Sequence, residues 1–422
     1  MRALKLIPLV AALLAAPAAA QGPEVLTDTG NTAWVLAATL FALATIIPGF
    51  ALFYAGRVAP RNRLSMPLQT GAVLAVVSTL WILIGYSIAF SANGGNWIGS
   101  AANIMLADTL AVRDGQSIGE IVFALFQMLP AVLAPVILLG AVAERARFGW
   151  VVPFAGLWSL IVYAPIARWV MGGGWLQDMG VIDYAGGLTV HLTAGVAGLV
   201  TALMIGRRKL AEEPREGSAA LVAFGGLGLV WIGWLGLVGG SDFAATDLGA
   251  GSAIINTHLS ASVAALVWAA LDRRALGRVT PSGFAMGAIA GLVAASPAAG
   301  SIGPLGALIL GLTVAPASRF MLALVRSKLG IDDAMGVFAV HGIGAVVGVI
   351  LTAVLSAAAF DGVGYAEGAG IGSQLVIQLV AIGAVTIWTA FATLILGYAV
   401  SAALPMRVSS EEEARGLDPA AA

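Results

Sequence analysis

The sequence contains no cysteine and little charge. None of its 422 residues is cysteine, 10% are Asp, Glu, Lys or Arg, and three are histidine. Without cysteine there is no disulfide bond, no thiolate metal ligand and no cysteine nucleophile. No Gly-x-x-x-x-Gly-Lys-Ser/Thr run occurs, which argues against ATP-driven transport. A soluble domain of this length is excluded, and nothing supports nucleic-acid binding or extracellular catalysis.

The sequence is instead strongly apolar, with 59% hydrophobic residues and a mean hydropathy of +0.96. This composition predicts an all-α polytopic membrane protein. Residues 1–20 combine Arg2 and Lys5 with a short apolar run and three alanines, which predicts a cleavable signal peptide. An uncleaved first helix is the alternative, although the apolar run is well short of the roughly 20 residues that span a bilayer. Residues 21–405 are the predicted transmembrane domain.

Hydropathy predicts eleven transmembrane helices in this domain. They are Thr32–Tyr54, Leu68–Phe90, Ile118–Val142, Trp150–Val170, Leu188–Ile205, Ala219–Val238, Ser252–Leu271, Ser282–Ser296, Leu305–Val325, Met335–Ser356 and Gln374–Leu404. Basic residues gather in alternate loops, as loops facing the cytoplasm require. After the signal peptide only Arg113 and Arg168 fall on the other side. The N-terminus is therefore predicted outside the cell and the C-terminus in the cytoplasm.

Two of the three histidines lie in similar apolar contexts. His191 and His341 each come 8 residues after a carboxylate, Asp183 and Asp333. Five predicted spans end at the helix of His191 and five more at that of His341. Because each unit has an odd number of helices, the second unit is predicted to be an inverted copy of the first, with the working site near the midplane. Coincidence in a chain rich in Val, Gly and Ala is the alternative.

Burial disfavours a charged imidazole, so both histidines are expected to be neutral and able to hydrogen-bond each other. Such a pair would exchange a hydrogen bond or a proton with a small polar solute, and it would reject a bare alkali cation. A metal or haem site with two histidines is the chemical alternative. No third ligand accompanies the pair, and His258 lies on a different predicted helix.

Several motifs resemble those of the Amt/Rh ammonium transporter family, and the resemblance covers essentially the whole mature chain. They are Asn31-Thr32-Ala33-Trp34, Phe53-Tyr54-Ala55-Gly56, Asn62-Arg63-Leu64-Ser65-Met66, Ala143-Glu144-Arg145, Gly172-Gly173-Gly174-Trp175-Leu176, Asp183-Tyr184-Ala185-Gly186-Gly187, Trp231-Ile232-Gly233-Trp234, Asn256-Thr257, Asp332-Asp333, Val340-His341-Gly342 and Gly364-Tyr365-Ala366-Glu367-Gly368. The resemblance implies a transporter or channel of the bacterial inner membrane, not an enzyme, without a cofactor. It also implies a homotrimer with one pore per subunit.

The resemblance further assigns roles to individual residues. His191 and His341 correspond to the twin histidines of the pore. Asp183 corresponds to the buried aspartate that supports an outer recruitment site, and Ser241 and Phe126 to members of that site. The implied mechanism recruits ammonium as a cation, removes its proton above or at the histidines, and conducts largely ammonia, with the proton following by a histidine or water route.

Three positions depart from the family pattern. The Trp that precedes the three glycines in the family is Met171 here, and a thioether is a weaker partner for a cation than an indole. Aligned on Phe126-Gln127-Met128 and Trp234-Leu235-Gly236, the two stacked phenylalanines of the family's gate are Pro130 and Leu237. If cation recruitment persists, Trp169 or Trp175 is a candidate for the missing aromatic face.

Three hypotheses stay open at this point. The chain is a working ammonium transporter with a repacked pore, an ammonium sensor or regulatory paralogue with weak or no transport, or a pore for another small solute such as methylammonium. Residues 406–422 resemble the cytoplasmic regulatory tail of the family, on which the nitrogen-regulatory PII signal protein acts. The acidic run Glu411-Glu412-Glu413 within it also fits a plain solvated segment.

Overall fold

The computed structural model describes residues 27–209 and 217–418, so the predicted signal peptide lies outside the described residues. In this part of the chain the structure is helical, with two isolated β-bridges and no strand. Eleven apolar helices account for most of it. In chain order they are Thr29–Ala55 (α1), Pro60–Phe90 (α2), Glu120–Val142 (α3), Phe148–Asp178 (α4), Gly187–Ile205 (α5), Ser218–Gly240 (α6), Gly249–Leu276 (α7), Pro281–Ala295 (α8), Pro304–Lys328 (α9), Phe338–Leu355 (α10) and Ile371–Ser401 (α11).

Ten of these helices are long and apolar enough to cross a membrane, and α8 is the shorter exception among the described residues. Its 15 residues rise about 22 Å as an α-helix, against a hydrocarbon core of roughly 30 Å. Every residue from Ala285 to Ala295 is buried. The predicted span Ser282–Ser296 is thus a short helix enclosed by its neighbours, and the chain is a multi-pass membrane protein.

Helices α1 and α6 pack closely through small residues. A Cβ atom added at Gly49 would overlap Val230, and one added at Gly226 would overlap the backbone of Phe53. Residue numbers rise along α1 as they fall along α6, so the two helices are antiparallel. Glycine allows this close approach of backbones, which is a common way for helices to associate within a membrane.

One end of the bundle is rich in arginine and is called the basic face here; its members include Arg57, Arg145, Arg208, Arg326 and Arg407. Arg208, which follows α5, donates to both carboxylate oxygens of Asp332 at 2.9 and 2.8 Å. The same guanidinium forms an ion pair with Glu144 after α3. Loops from both halves of the chain are therefore joined at this face.

The segment after α11 folds back onto the basic face. It contains a short helix, Ser410–Arg415 (α12), which begins with a capping box between Ser409 and Glu412. Glu413 forms an ion pair with Arg407 at 2.7 Å, and the Leu417 amide donates to Asn62 Oδ1 at 2.8 Å. The ion pair lies within the tail, and the tail is docked on the start of α2 through Asn62 and on the end of α5, where Arg407 Nη1 donates to the Ile205 carbonyl at 2.9 Å.

Candidate functional site

His191 and His341 lie in matching local structures. His191 is in the π-helical turn Gly187–Leu192 that opens α5, and His341 is in the π-helical turn Phe338–Gly342 that opens α10. Such turns carry wider backbone hydrogen bonds and often occur at functional sites. Each histidine therefore projects from the first turn of its helix.

An aspartate and a glycine precede each histidine by the same distances. Asp183 Oδ2 accepts hydrogen bonds from the amides of Leu188 and Thr189, both at 3.1 Å. Asp333 accepts from the amides that follow it at 2.9 and 2.8 Å. Three residues after each aspartate stands a glycine with positive φ, at +93° and +74°, which permits the tight turn into the helix. The two histidine turns are built by the same aspartate, glycine and histidine spacing.

The two turns meet at a glycine contact. A Cβ atom added at Gly195, one turn beyond His191, would overlap the backbone of Gly342, the residue after His341. This approach brings the imidazole rings to 5.5 Å between centroids, with 39° between their planes. The structure thus places side by side two histidines that are 150 positions apart in the sequence.

Aromatic rings enclose the histidine pair. Trp234 stacks on His191 at 4.8 Å with 18° between the planes, and Phe50 lies 6.1 Å from His341. Both nitrogens of His191 and Nδ1 of His341 are buried without a hydrogen-bond partner among the described residues. The rings are adjacent, but the hydrogen bond between them that the sequence suggested is not formed in this structure.

Phe126 lies further toward the end of the bundle opposite the basic face. Its ring packs where a Cβ atom at Gly240 would stand. Pro130 is one turn further along α3, and Leu237 is one turn back along the antiparallel α6. Both are buried. Helical spacing places Pro130 on the same face of α3 as Phe126, and Leu237 on the same face of α6 as Trp234, whose ring stacks on His191.

Ser241 lies at the end of α6. Its hydroxyl donates to the Leu237 carbonyl at 2.9 Å, which leaves the lone pairs of Oγ as acceptors for another donor. Two residues later, Phe243 contacts the Phe126 ring at 5.3 Å and the Phe123 ring at 5.0 Å. Phe243 has a φ of +53°, an unusual value for a bulky residue. A cluster of phenylalanine rings therefore adjoins Ser241.

Met171 is the last residue of the helical segment Ala164–Met171 within α4, and it is partly buried against the core. Trp169 is two residues earlier, which places it on the other side of that helix. Among the described aromatic contacts, Trp169 packs on Trp97, Trp175 and Trp388 at 5.5 to 6.1 Å. The structure thus groups Trp169 and Trp175 with other tryptophans, whereas Phe243 is the ring that joins Phe126.

A narrow cavity leads from His341 toward the basic face. It has room for about one water-sized molecule. Its lining is mainly apolar, with three polar side chains, Tyr54, Arg57 and His341. The other lining residues are Phe50, Phe53, Met286, Ile289, Met335, Gly336, Val337 and Val340. The Tyr54 hydroxyl is held by the Ile137 carbonyl at 3.1 Å. The site therefore continues from the histidines toward the basic face.

Sequence reasoning missed three aromatic residues of the site: Phe50, Trp234 and Phe243. Trp234 lies seven residues before Ser241 and three before Leu237, so helical spacing alone could have placed it on the same face of α6. Phe50 and Phe243 gave no such signal, because their positions depend on how α1 and the loop after α6 pack in space.

A multi-pass helical bundle with a buried histidine pair, an aromatic cluster at one end and a narrow cavity at the other defines a membrane transporter or channel for a small solute. A model described as the Ammonium Transporter Family matches residues 33–421. The chain belongs to the ammonium transporter family.

Named relatives and solved structures agree over nearly the whole length. The chain is 36% identical to "Ammonium transporter" of Aquifex aeolicus over 416 residues, covering 98% of this chain and 96% of the relative. It is 38% identical to "Ammonium transporter Amt1" of Archaeoglobus fulgidus over 395 residues, covering 92% and 97%.

Among solved structures, it superposes on a "Sensor Amt Protein" with a TM-score of 0.86 and 26% identity, covering 93% of this chain and 98% of that one. For Saccharomyces cerevisiae Mep2 the TM-score is 0.82 at 30% identity, covering 93% and 91%.

Proposed function

We propose that this ammonium transporter recruits ammonium at the face opposite the basic face, removes one proton, and conducts ammonia past His191 and His341. The observation that carries the proposal is the buried imidazole pair, 5.5 Å apart, between the Phe126 cluster and the cavity at His341. A neutral imidazole nitrogen can hydrogen-bond ammonia. An alkali cation would lose its hydration there without a ring of carbonyl groups to replace it.

Recruitment would use Ser241 and the rings of Phe126 and Phe243. The free lone pairs of Ser241 Oγ can accept from an ammonium N–H group, and aromatic faces attract cations. Met171 would supply only a thioether at this site. Asp183 would act through its negative potential and by holding the first turn of α5, since its hydrogen bonds go to backbone amides.

Pro130 and Leu237 would form the gate between recruitment site and histidines. They are aliphatic, so the layer offers a dehydrated passage without an aromatic face to stabilise a cation. This favours loss of the proton before the solute crosses the layer. Ammonium would thus give up one proton on the recruitment side, and ammonia would go on alone.

We also propose how the chain is oriented in the membrane and how its subunits assemble. The basic face lies in the cytoplasm, in keeping with the positive-inside rule, so the N-terminus is outside the cell and the C-terminus inside. The same Asp, Gly and His spacing occurs at the start of α5 and at the start of α10. These two helices begin at opposite ends of the bundle, which supports two inverted five-helix units followed by α11. We propose a homotrimer in the cell membrane with one pore per subunit, as the resemblance to the family implies.

Residues 406–422 would form a regulatory tail and bind a PII-type protein. The support is the docking of α12 on the basic face, where Glu412 pairs with Arg147 at 2.6 Å and Glu413 Oε1 accepts from the Lys209 amide at 2.6 Å. A partner that lifts the tail would break these contacts, together with the hydrogen bond from the Leu417 amide to Asn62 at the start of α2.

Purified protein in liposomes tests the proposal. An ammonium pulse should raise internal pH faster than in empty liposomes, because entering ammonia takes up a proton. Charge movement is recorded in parallel. The double variant His191→Ala, His341→Ala should lose the signal, and His258→Ala, at an exposed position, should keep it. A double variant that transports like the wild type would refute the role of the pair.

An ammonium sensor with weak or no transport is the second candidate. The structural similarity to a protein titled "Sensor Amt Protein", together with the docked tail and the narrow cavity, favours it. Silence of both wild type and double variant, with ammonium still raising the thermal stability of the wild type, would select this function. A response to methylammonium alone would select a pore for another solute.

A further inference from the structure

Arg57 lies at the basic-face end of the cavity that begins at His341. It follows α1 directly, and its amide donates to the Tyr54 carbonyl at 2.9 Å. The guanidinium carbon lies 5.1 Å from the centre of the Phe53 ring, and Nη2 is 3.7 Å from the Met286 sulfur. The side chain is thus held by an aromatic face and a thioether, and it lines the cavity.

Among the described residues, no carboxylate forms an ion pair with the Arg57 guanidinium. Its Nε and Nη1 atoms are buried and have no hydrogen-bond partner among the described residues. Asp333 acts on Arg57 through its charge, but its two carboxylate oxygens accept from the backbone amides of Val337 and Phe338. The other charges that influence Arg57 are Arg326 and Arg208, and both are positive. The local field at the end of the cavity is therefore set by guanidinium groups.

The guanidinium stays charged under physiological conditions. Burial, followed by the charge of Arg326, lowers the pKa of Arg57 to about 10. At pH 7 the group is still protonated. A permanent positive charge thus borders a passage whose remaining walls are apolar or aromatic, where solvent screening is weak.

We propose that Arg57 is a charge filter at the exit of the pore, which lets neutral ammonia pass and turns back monovalent cations. The proposal rests on the proposed function, because it concerns what leaves the same pore. Ammonia has no net charge and can accept a hydrogen bond from the free Nε or Nη1 donor. An ammonium, potassium or sodium ion in the cavity meets a like charge at close range, and a proton that follows ammonia through water meets it too.

Two measured signals, the internal pH and the charge moved, distinguish ammonia from ammonium as the solute that crosses. Ammonia arriving alone raises the internal pH of a liposome without carrying charge. Ammonium, or ammonia with its proton, carries one positive charge and leaves the internal pH nearly unchanged. The ratio of charge moved to internal pH rise, recorded on the same liposomes after an ammonium pulse, does not depend on how much protein is incorporated.

The variants are Arg57→Met, Arg57→Gln and Arg57→Lys. We expect the neutral variants to raise the ratio on the order of tenfold, the effect of removing a nearby like charge in a poorly screened passage. Arg57→Lys keeps the charge and should stay near the wild-type ratio. Arg274→Met removes an arginine from an exposed position on the same side of the bundle and should leave the ratio unchanged. Size-exclusion profiles and thermal unfolding show whether each variant is folded.

The outcomes separate the filter from the proposed function. Folded Arg57→Met and Arg57→Gln proteins that keep the wild-type ratio overturn the filter, and so does Arg57→Lys if it behaves like Arg57→Met. A silent wild type with a charge-conducting Arg57→Met protein upholds the filter but refutes transport by the wild type. Silence of every protein, including the neutral variants, refutes both.

Discussion

Asp183 shows how one carboxylate can hold the helical turn that carries a buried histidine. Its Oδ2 atom accepts from two backbone amides and from the Thr189 hydroxyl at 3.3 Å. Those amides open the turn that carries His191, and they have no carbonyl partner in the preceding helical turn. Asp333 does the same for His341. The paired aspartates therefore orient the paired histidines.

Replacing Asp183 by alanine tests this role. Asp183→Ala leaves buried amides without an acceptor, so we expect a loss of about 1–3 kcal/mol of stability and of most transport. Thermal unfolding in detergent and ammonium-driven alkalinisation of liposomes measure the two effects. Asp178→Ala, which removes an exposed carboxylate nearby, is the control. Wild-type stability and transport in Asp183→Ala would rule out the capping role.

Aromatic residues restored at the altered positions should strengthen recruitment. Met171→Trp with Leu237→Phe restores aromatic rings at two positions where the family pattern has them, each worth roughly 0.5–2 kcal/mol to a cation. We expect about a tenfold gain in apparent ammonium affinity, read from the concentration dependence of transport. Leu237→Met keeps the volume without a ring and should give no gain. An unchanged affinity in the aromatic double variant would disprove the cation-recruitment argument.

At the scale of residues, the sequence predicted the charged and polar members of the site better than the aromatic ones. His191, Asp183 and their counterparts were visible because polar groups are rare in apolar helices. Phe243 was not visible, since an aromatic residue in an apolar chain is unremarkable until packing brings it to Phe126. The hydrogen bond expected between the imidazoles depends on ring orientation, which spacing does not fix.

At the scale of helices, the crossing of α5 and α10 brings the two histidines together. Gly195 contacts the backbone at Gly342, so nothing larger than hydrogen fits between the helices at that point. Each histidine turn is π-helical, which shifts the following side chains relative to an ordinary helix. Hydropathy predicted both helices, but it carries no information on the π turns or on the glycine contact.

A methyl group at this crossing should separate the helices. Gly195→Ala places a Cβ atom against the Gly342 backbone, and we expect reduced thermal stability together with at least a tenfold loss of ammonia transport, because ring separation depends on the contact. Gly383→Ala, at a position where an added Cβ atom meets nothing within 4 Å, should be as stable as the wild type or more so. A Gly195→Ala protein with full transport would contradict the role of this crossing.

The prediction of eleven transmembrane helices differs from the structure at α8, and this difference has a physical cause. Apolar composition identified α8, but its length of 15 residues makes it shorter than a bilayer core. Neighbouring helices bury it on most sides, so it needs no direct match to the lipid. Hydropathy measures how apolar a segment is, whereas the packing of the bundle decides whether that segment faces lipid.

At the scale of the whole molecule, the basic face joins the two halves of the chain. Arg208 follows the fifth helix and Asp332 precedes the tenth, and their bidentate contact links the ends of the two histidine helices. Glu144, from the loop after α3, pairs with the same guanidinium. The sequence predicted that these basic loops share one side of the membrane, but the partners in the network required the fold.

The link between Arg208 and Asp332 should give acid-dependent stability. Burial acts to raise the pKa of Asp332, but the hydrogen bonds and charge of Arg208 outweigh it and lower the pKa from 3.8 to about 2. For a carboxylate with a lowered pKa, the stabilisation is complete above the unfolded value and is lost as pH falls through the folded value. The window is therefore from about pH 4 down to pH 2.

Thermal unfolding of the wild type and of Asp332→Asn across this pH range measures how much the ion pair contributes to stability. At pH 6 the variant should be less stable by about 1 kcal/mol, a modest value because partial exposure screens the pair. The difference should shrink toward zero between pH 4 and pH 2, as the wild-type carboxylate takes up its proton. Asp114→Asn, at an exposed position, should follow the wild type throughout. A difference between wild type and Asp332→Asn that stays constant with pH would mean that the ion pair does not join the two halves.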